Sequence, residues 1–264
     1  MFANERRNSI LKEIEQNGAV TTSGLVKKYD VSIETVRRDL AWLEVEGKLV
    51  RVHGGAVAKS DMKPFYDLPK RNREYADQKR ELSLLASSFI RNGDIIGIDS
   101  GSTAIIFAEV IKDKFSDLTI VTHSSDVYEI LKNNRNFEII LVGGHYLKGE
   151  NAFYGELTLN MLRSLHMRKV FIFPTAVSLE YGICDYQKEL YQIQKQLIKC
   201  SDEIFILADS SKFEKKALLK LSETEKDFVY ITDSDLNKRI KSLYEENGYI
   251  IYSGGKKQNG KADR

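Results

Sequence analysis

The chain has 264 residues with 42% hydrophobic content, enough for one large domain, or for a small one joined to a medium one, without covalent staples. Forty Lys plus Arg against 38 Asp plus Glu leave a formal charge of +2, so bulk charge does not mark a nucleic-acid partner and local placement has to. Two cysteines, Cys184 and Cys200, exclude a disulfide framework and read as buried thiols; with no apolar run able to cross a bilayer and no leader-like opening, a cytoplasmic protein without a membrane partner is expected.

Ile10, Leu11 and Ile14 share one face of a helix expected over Asn4 to Gln16, with Arg6-Arg7 near its start and Asn17-Gly18 as a left-handed stop. Thr21-Thr22 caps a short second helix that turns Leu25, Val26 and Tyr29 inward, and Asp30-Val31 leads into a third. That helix starts at Ser32, whose hydroxyl accepts from the free N–H groups of the first turn, and stops near Gly47. Ile33, Val36, Leu40 and Leu43 form its apolar stripe. Lys48 to Val57 then places β-formers around Gly54-Gly55, a pair suited to a tight hairpin turn. Three short helices and a hairpin are the order of a winged helix-turn-helix, whose third helix enters the major groove, although any small three-helix domain shows such stripes. Off the stripe, Arg37 and Arg38 suit bidentate contacts to guanine or phosphate, and Thr35 a thymine methyl or a phosphate. Glu34 suits either a cytosine amino group or merely the positive helix end.

From Lys59 to Asp77 the periodicity lapses, and Pro64 and Pro69 punctuate a polar connector carrying Phe65, Tyr66 and Leu68. A helix from Gln78 to Arg91 points Leu82, Leu85, Ala86 and Phe89 inward, and beyond Asn92-Gly93 strands alternate with helices. Strands are expected at Ile95 to Asp99, Thr119 to Thr122, Phe137 to Val142, Val170 to Phe173, Ile204 to Ala208, Phe228 to Thr232 and Tyr249 to Tyr252. Helices are expected through Ile111 and at Asp126 to Lys132, Gly155 to Leu165, Gln187 to Cys200 and Asp235 to Asn247. This alternation argues an α/β domain with a largely parallel sheet, its ligand site in the loops beyond the strand ends. The expected division is a winged helix-turn-helix domain over 1–58, a connector over 59–76, the α/β domain over 77–253 and a Gly/Lys-rich flexible tail over 254–264.

Asp99-Ser100-Gly101-Ser102-Thr103 is a strand-loop-helix turn that presents N–H groups and hydroxyls to an anion, though many α/β proteins have such a turn for geometry alone. Thr122-His123-Ser124, Gly143-Gly144 and Asp209-Ser210-Ser211-Lys212 follow other strands. A phosphate on the hydroxyl loop and Lys212, with Asp209 or Asp99 on sugar hydroxyls, makes a coherent polyol-phosphate site. His123 reads either as an imidazole that, once protonated, strengthens anion binding toward acidic pH, or as a neutral ring hydrogen-bonded at a strand end. Asp99 reads either as a ligand or as a loop cap. No nucleophile–base pair and no metal-ligand spacing emerges, so no catalytic residue, metal or cofactor is expected.

Val31-Ser32-Ile33-Glu34-Thr35-Val36-Arg37-Arg38-Asp39-Leu40, followed by Gly47-Lys48-Leu49-Val50-Arg51-Val52-His53-Gly54-Gly55-Ala56, resembles the DeoR family of bacterial transcriptional regulators. The loops after the later strands, with Thr232-Asp233, are similar to the sensor domain of that family, which shares a Rossmann-like fold with ribose-5-phosphate isomerases and CoA transferases. The resemblance implies that Thr35, Arg37 and Arg38 face DNA from a helix capped at Ser32 and supported by Asp39, with Arg51 and His53 on the wing beside the backbone. It further implies a phosphorylated-sugar effector at Asp99, Ser100, Gly101, Ser102, Thr103, Thr122, His123, Ser124, Gly143, Gly144, Asp209 and Lys212. A repressor of carbohydrate genes, bound to operator DNA as a homodimer or homotetramer, is the function implied. The chain departs from the family's usual residues at His123, where Asn is common, at Arg168 for Asp, at Ala176 for Gly and at Gln194 for Lys, and these bear on the effector's identity. A sugar-phosphate isomerase-like enzyme using Asp99, Asp209 and Lys212, or a DNA-binding protein whose pocket answers to a partner protein, are the other readings.

Overall fold

The computed structural model describes residues 2–17, 19–52, 55–58 and 68–254. Two units separate along the chain, 1–66 and 67–264, each with its own core. In the first, α1 (Ala3–Asn17), β1 (Ala19–Thr21), α2 (Thr22–Tyr29), α3 (Ile33–Val45), β2 (Leu49–Val52) and β3 (Gly55–Ala58) follow in order. The three helices bury Ile10, Ile14, Leu25, Val36, Leu40 and Leu43 against Val20, Leu49 and Ala56. Both expected caps form: Thr21 Oγ1 accepts from the Gly24 N–H at 3.1 Å, and Ser32 Oγ from the Thr35 N–H at 3.2 Å. Gly47, with φ of +66°, ends the turn after α3.

Two features depart from the sequence reading. The wing has a third strand, since β1 pairs antiparallel with β3 as β2 does; three residues are too few to display a period-2 pattern. Ile33 is 49% exposed, because it stands at the open end of α3, on the margin of the buried arc. Gly18, His53, Gly54, residues 59–67 of the expected connector and the tail from 255 lie outside the described residues.

The second unit opens with α4 (Leu68–Arg73), a helix in the stretch read as connector, with Pro69 in its first turn, where the missing N–H removes no hydrogen bond. In α5 (Ala76–Ala86) the helix stops early, and a 3₁₀ turn, Ser87–Phe89, completes what the pattern extends to Arg91. Then come β4 (Asp94–Ile98), α6 (Ser102–Ile111), β5 (Leu118–Thr122), α7 (Ser125–Leu131), β6 (Phe137–Leu141), a hairpin of β7 (His145–Leu147) and β8 (Ala152–Tyr154), and α8 (Glu156–Arg163). After β9 (Met167–Ile172), β10 (Ala176–Ser178) and β11 (Gly182–Asp185) lie α9 (Lys188–Lys199), β12 (Ser201–Leu207), β13 (Leu219–Ser222), β14 (Val229–Thr232), α10 (Lys238–Glu246) and β15 (Ile250–Ser253).

Seven of these strands form one parallel sheet in the order β15-β14-β12-β9-β4-β5-β6. Helices cover both faces, so the middles of the strands are apolar on both sides and the pleat sorts them: Val170 and Ile172 turn to the α8, α9 and α10 side, Phe171 and Phe173 to the α5, α6 and α7 side. The chain builds outward from β4 through β5 and β6, then returns to place β9 on the other flank. The crevice beyond the β4 and β9 ends is therefore the topological switch point, where ligands of such sheets bind. The short hairpin β7-β8 and the small antiparallel sheet β10-β11-β13 were not readable from periodicity, each strand spanning only three or four residues.

In the first unit, β1 and β3 approach so closely that a Cβ at Gly55 would stand 2.0 Å from the Val20 carbonyl oxygen. Gly55→Ala is expected to push the two strands apart and lower the stability of this unit by about 1–3 kcal/mol. Urea unfolding followed through Trp42, the sole tryptophan, measures it; an unchanged midpoint would show that the approach carries no packing.

Candidate functional site

One face of α3 is anchored by a buried carboxylate. Asp39, 2% exposed, accepts from Arg6 Nε at 2.6 Å and from Arg7 Nε at 2.8 Å, both on α1. The Arg7 guanidinium also lies 4.4 Å over the Trp42 ring. Removing such a charge from water costs several kcal/mol, and the two guanidiniums compensate it. With successive residues about 100° apart, Arg37 and Arg38 straddle the direction opposite the buried Val36, Asp39, Leu40 and Leu43. Both are exposed; Arg37 keeps only a loose ion pair with Glu34 at 3.8 Å, and Arg38 makes no ion pair among the described residues. Thr35 is half-buried, its hydroxyl 2.9 Å from Ser32 Oγ in the cap. Arg51, on β2, is held to the end of the same helix: its N–H donates to Glu44 Oε1 at 2.9 Å and its guanidinium lies 3.9 Å from Glu44 Oε2. Ser32, Thr35, Arg37, Arg38 and Arg51 thus belong to one surface, while His53 lies outside the described residues. Glu44, the tie between helix and wing, was missed because the chain turns at Gly47 between it and Arg51, so their seven-residue interval is not read on one helix.

In the second unit the loops at the β4, β5 and β9 ends meet at Asp99, which is fully buried. Its Oδ1 faces His123 Nε2 at 3.0 Å; its Oδ2 accepts from Gln194 Nε2 at 3.0 Å and from the Phe173 N–H at 3.4 Å. His123 Nδ1 lies 2.9 Å from the Phe153 carbonyl oxygen, so both ring nitrogens face oxygens. Gln194 Nε2 also donates to Asp185 Oδ2 at 2.9 Å, so one amide bridges two carboxylates. His123 and Gln194, two of the four positions at which the sequence reading expected a departure, therefore meet on one carboxylate. Arg168 instead lies at the opposite end of the sheet beside Glu203, at 3.5 Å, and Ala176 packs in the β10-β11 pair.

Thr122 Oγ1 donates to the Ile98 carbonyl at 2.8 Å and accepts from the Ser124 N–H at 3.1 Å, while Ser124 Oγ caps α7 by accepting from Val127. Ser100, Gly101, Ser102 and Thr103 lead into α6; Gly101 takes φ of +106°, and the buried Thr103 Oγ1 has no hydrogen-bond partner among the described residues. Gly143 and Gly144 meet α8 instead: Thr158 Oγ1 donates to the Gly143 carbonyl at 2.9 Å, and a Cβ on Gly144 would lie 2.1 Å from that hydroxyl. Beyond β12, Asp209 caps the 3₁₀ turn Ser210–Lys212 and pairs with Lys212 Nζ at 3.6 Å.

Three further charged groups complete this end of the sheet. Arg71 of α4 directs Nη2 to both oxygens of the buried Glu150, at 2.5 and 2.6 Å. A Cβ on Gly101 would stand 3.9 Å from Arg71 Nη1, so the guanidinium flanks the hydroxyl loop. Lys79 of α5, 3% exposed, donates to the Arg71 and Glu74 carbonyls at 2.5 and 2.7 Å and so caps α4. Burial pushes its ammonium down to about 8, with Lys212 adding to the shift and Asp209 opposing it. Burial likewise raises the Glu150 carboxyl, against the pull of Arg71. None of the three carried a sequence signal: Arg71 lies in an aperiodic polar stretch, Glu150 in a turn, and Lys79 among other charged residues.

A family model described as DeoR C terminal sensor domain matches residues 74–234, and one described as DeoR-like helix-turn-helix domain matches residues 6–61. The HTH-type transcriptional regulator GolR of Listeria innocua is 29% identical over 95% of this chain and 98% of its own. The L-fucose operon activator of Haemophilus influenzae is 30% identical over 92% of this chain and 97% of its own. Among solved structures, ribose 5-phosphate isomerase A from Neisseria gonorrhoeae aligns with 52% of this chain and 53% of its own, at 18% identity and a TM-score of 0.40.

The Lys79 environment has a pH consequence. With a folded value of about 8 against 10.5 unfolded, the unfolded state binds more protons between these limits, so stability gains as pH rises through that window. Relative to Lys79→Met, the wild type should gain on the order of 2 kcal/mol between pH 8 and 10.5. Paired denaturation curves at the two pH values test this, and parallel behaviour of the two proteins would place the ammonium in water.

Proposed function

We propose that this chain, which belongs to the DeoR family of transcriptional regulators, represses carbohydrate-metabolism genes by binding operator DNA through α3 and the wing, and that a phosphorylated sugar bound at the β4 and β9 ends modulates it. The observation that carries the DNA half is the pair Arg37 and Arg38, exposed on the side of α3 opposite its anchored face. Guanidiniums so presented suit guanine edges and phosphates, and Thr35 and Arg51 flank them. On a near-palindromic operator, two recognition helices of a homodimer, or of half a homotetramer, would lie roughly 34 Å apart.

The effector half is supported by the α6 N-terminus with its Ser100–Thr103 loop, and by Arg71 and Lys212, as an anion site, with Asp209 for hydroxyls. Relatives point to the same class: a glycerol-3-phosphate regulon repressor of Haemophilus influenzae is 29% identical over 95% of this chain. A differential affinity of ~1–3 kcal/mol between DNA-competent and incompetent states changes occupancy ~5- to 150-fold, so regulation needs no catalysis. Relatives aligned along nearly their full length are named as regulators, which favours this reading over a sugar-phosphate isomerase. A cytoplasmic location goes with a role at operator DNA; no helix among the described residues is long and apolar enough to cross a membrane.

Arg37→Ala and Arg38→Ala should each weaken specific operator binding ~10- to 100-fold or more with the fold intact. Footprinting and circular dichroism of both variants test this, and unchanged footprints would remove the two side chains from the interface. A thermal-shift screen with phosphorylated sugars, repeated with operator DNA, should raise the melting temperature of the second unit for at least one compound and release the DNA. Silence across the panel would favour a site that answers to a partner protein.

A further inference from the structure

A side-chain amide at the switch point has its nitrogen engaged and its oxygen unanswered. Gln194 of α9 is 3% exposed, and its Nε2 donates to Asp99 Oδ2 at 3.0 Å and to Asp185 Oδ2 at 2.9 Å. Turning the amide over would set its carbonyl oxygen against two carboxylate oxygens, so these two bonds fix which end is which. Both carboxylates have other partners: Asp99 has His123 and the Phe173 N–H, and Asp185 Oδ1 accepts from Thr175 Oγ1 at 2.8 Å and from the Tyr186 N–H at 2.6 Å. The remaining atom of the amide, Gln194 Oε1, is buried and has no hydrogen-bond partner among the described residues. Amide bond lengths put it about 2.2 Å from Nε2, and so within about 5 Å of Asp99 Oδ2. A buried acceptor without a donor bears the full desolvation cost of that group, and nearly all such atoms in folded proteins are paired. Thr103 Oγ1, in the loop that leads from Asp99 into α6, is also buried and unpartnered among the described residues.

We propose that Gln194 is a specificity-determining residue of the effector site, its Oε1 accepting a hydrogen bond from one hydroxyl of the bound sugar. The inference rests on the effector reading above and deepens it, because it assigns a residue to the sugar where that reading seats a phosphate on the Ser100–Thr103 loop. Local charge decides which group of the ligand fits. Asp99 and Asp185 both stand against the nitrogen end of the amide, so an ionised phosphate oxygen would be repelled there and has no hydrogen to give. A hydroxyl is neutral and donates one hydrogen. A ligand that pairs the orphaned oxygen recovers the cost of leaving it bare, whereas an analogue lacking that hydrogen does not, so the difference enters the affinity directly.

The test is isothermal titration calorimetry on the full-length chain. Hexose, hexitol and pentose phosphates are the first probes, followed by the monodeoxyfluoro analogues of the tightest binder, in which C–F keeps close to the size of C–OH but donates no hydrogen. In the wild type, fluorine at one position should weaken binding about tenfold or more. Gln194→Lys still donates to Asp99 and Asp185 but offers no acceptor, so the hydroxyl and fluoro forms should bind it alike, with an unchanged circular dichroism spectrum. Gln194→Met, which neither donates nor accepts, should erase the same distinction and keeps the test open if the lysine variant folds poorly. A residue that only braces the two carboxylates would, when replaced, shift all ligands together and leave the distinction in place. That result, or tolerance of fluorine at every position by the wild type, would overturn the assignment while leaving the effector reading intact. No binding by the wild type to any probe would overturn both.

Discussion

Asp99 is the constraint on which the second unit depends. A fully buried carboxylate just beyond the end of β4 is tolerable only if its desolvation, several kcal/mol, is offset by donors. Those donors come from three separate places: His123 beyond β5, Gln194 in α9 and the Phe173 N–H beyond β9. One charge therefore fixes the relative position of the strand ends that form the switch-point crevice. His123 and Gln194 touch the two oxygens of one group, and Gln194 reaches on to Asp185.

The first unit meets a similar demand with different chemistry. Asp39 is compensated by two full cations, Arg6 and Arg7, so the contact joins α1 to α3 with net positive charge. Because the anchoring falls to residues of α1, Arg37 and Arg38 are left to the outer surface, where a polyanion would meet them. Val36, Leu40 and Leu43 supply the burial energy, and Asp39 adds registry. A recognition helix needs that division between an anchored side and a charged side: side chains that read base edges cannot also pack the core.

At the mouth of the second unit, cations are ordered in advance. Arg71 rests on Glu150, Lys79 on two carbonyls and Lys212 against Asp209. Each has an acceptor from the protein, so the entropy cost of ordering these long side chains falls on folding.

The winged helix, its caps and the alternation of strands and helices were legible in the residues because they rest on local periodicity and capping chemistry, which neighbouring positions carry by themselves. The loops after Ile98, Thr122 and Leu207 were legible too, since hydroxyls and glycines following apolar runs mark strand ends. What tertiary structure alone decided lies at larger separations: Arg71 meets Glu150 across 79 positions, Gln194 meets Asp99 across 95, and Arg6 meets Asp39 across 33. It also turned Asp99 and His123 inward on each other and set Gly143 and Gly144 against α8. No period or spacing in a single sequence encodes which charges will share a desolvated pocket, because that depends on how far apart the sheet order places their strands.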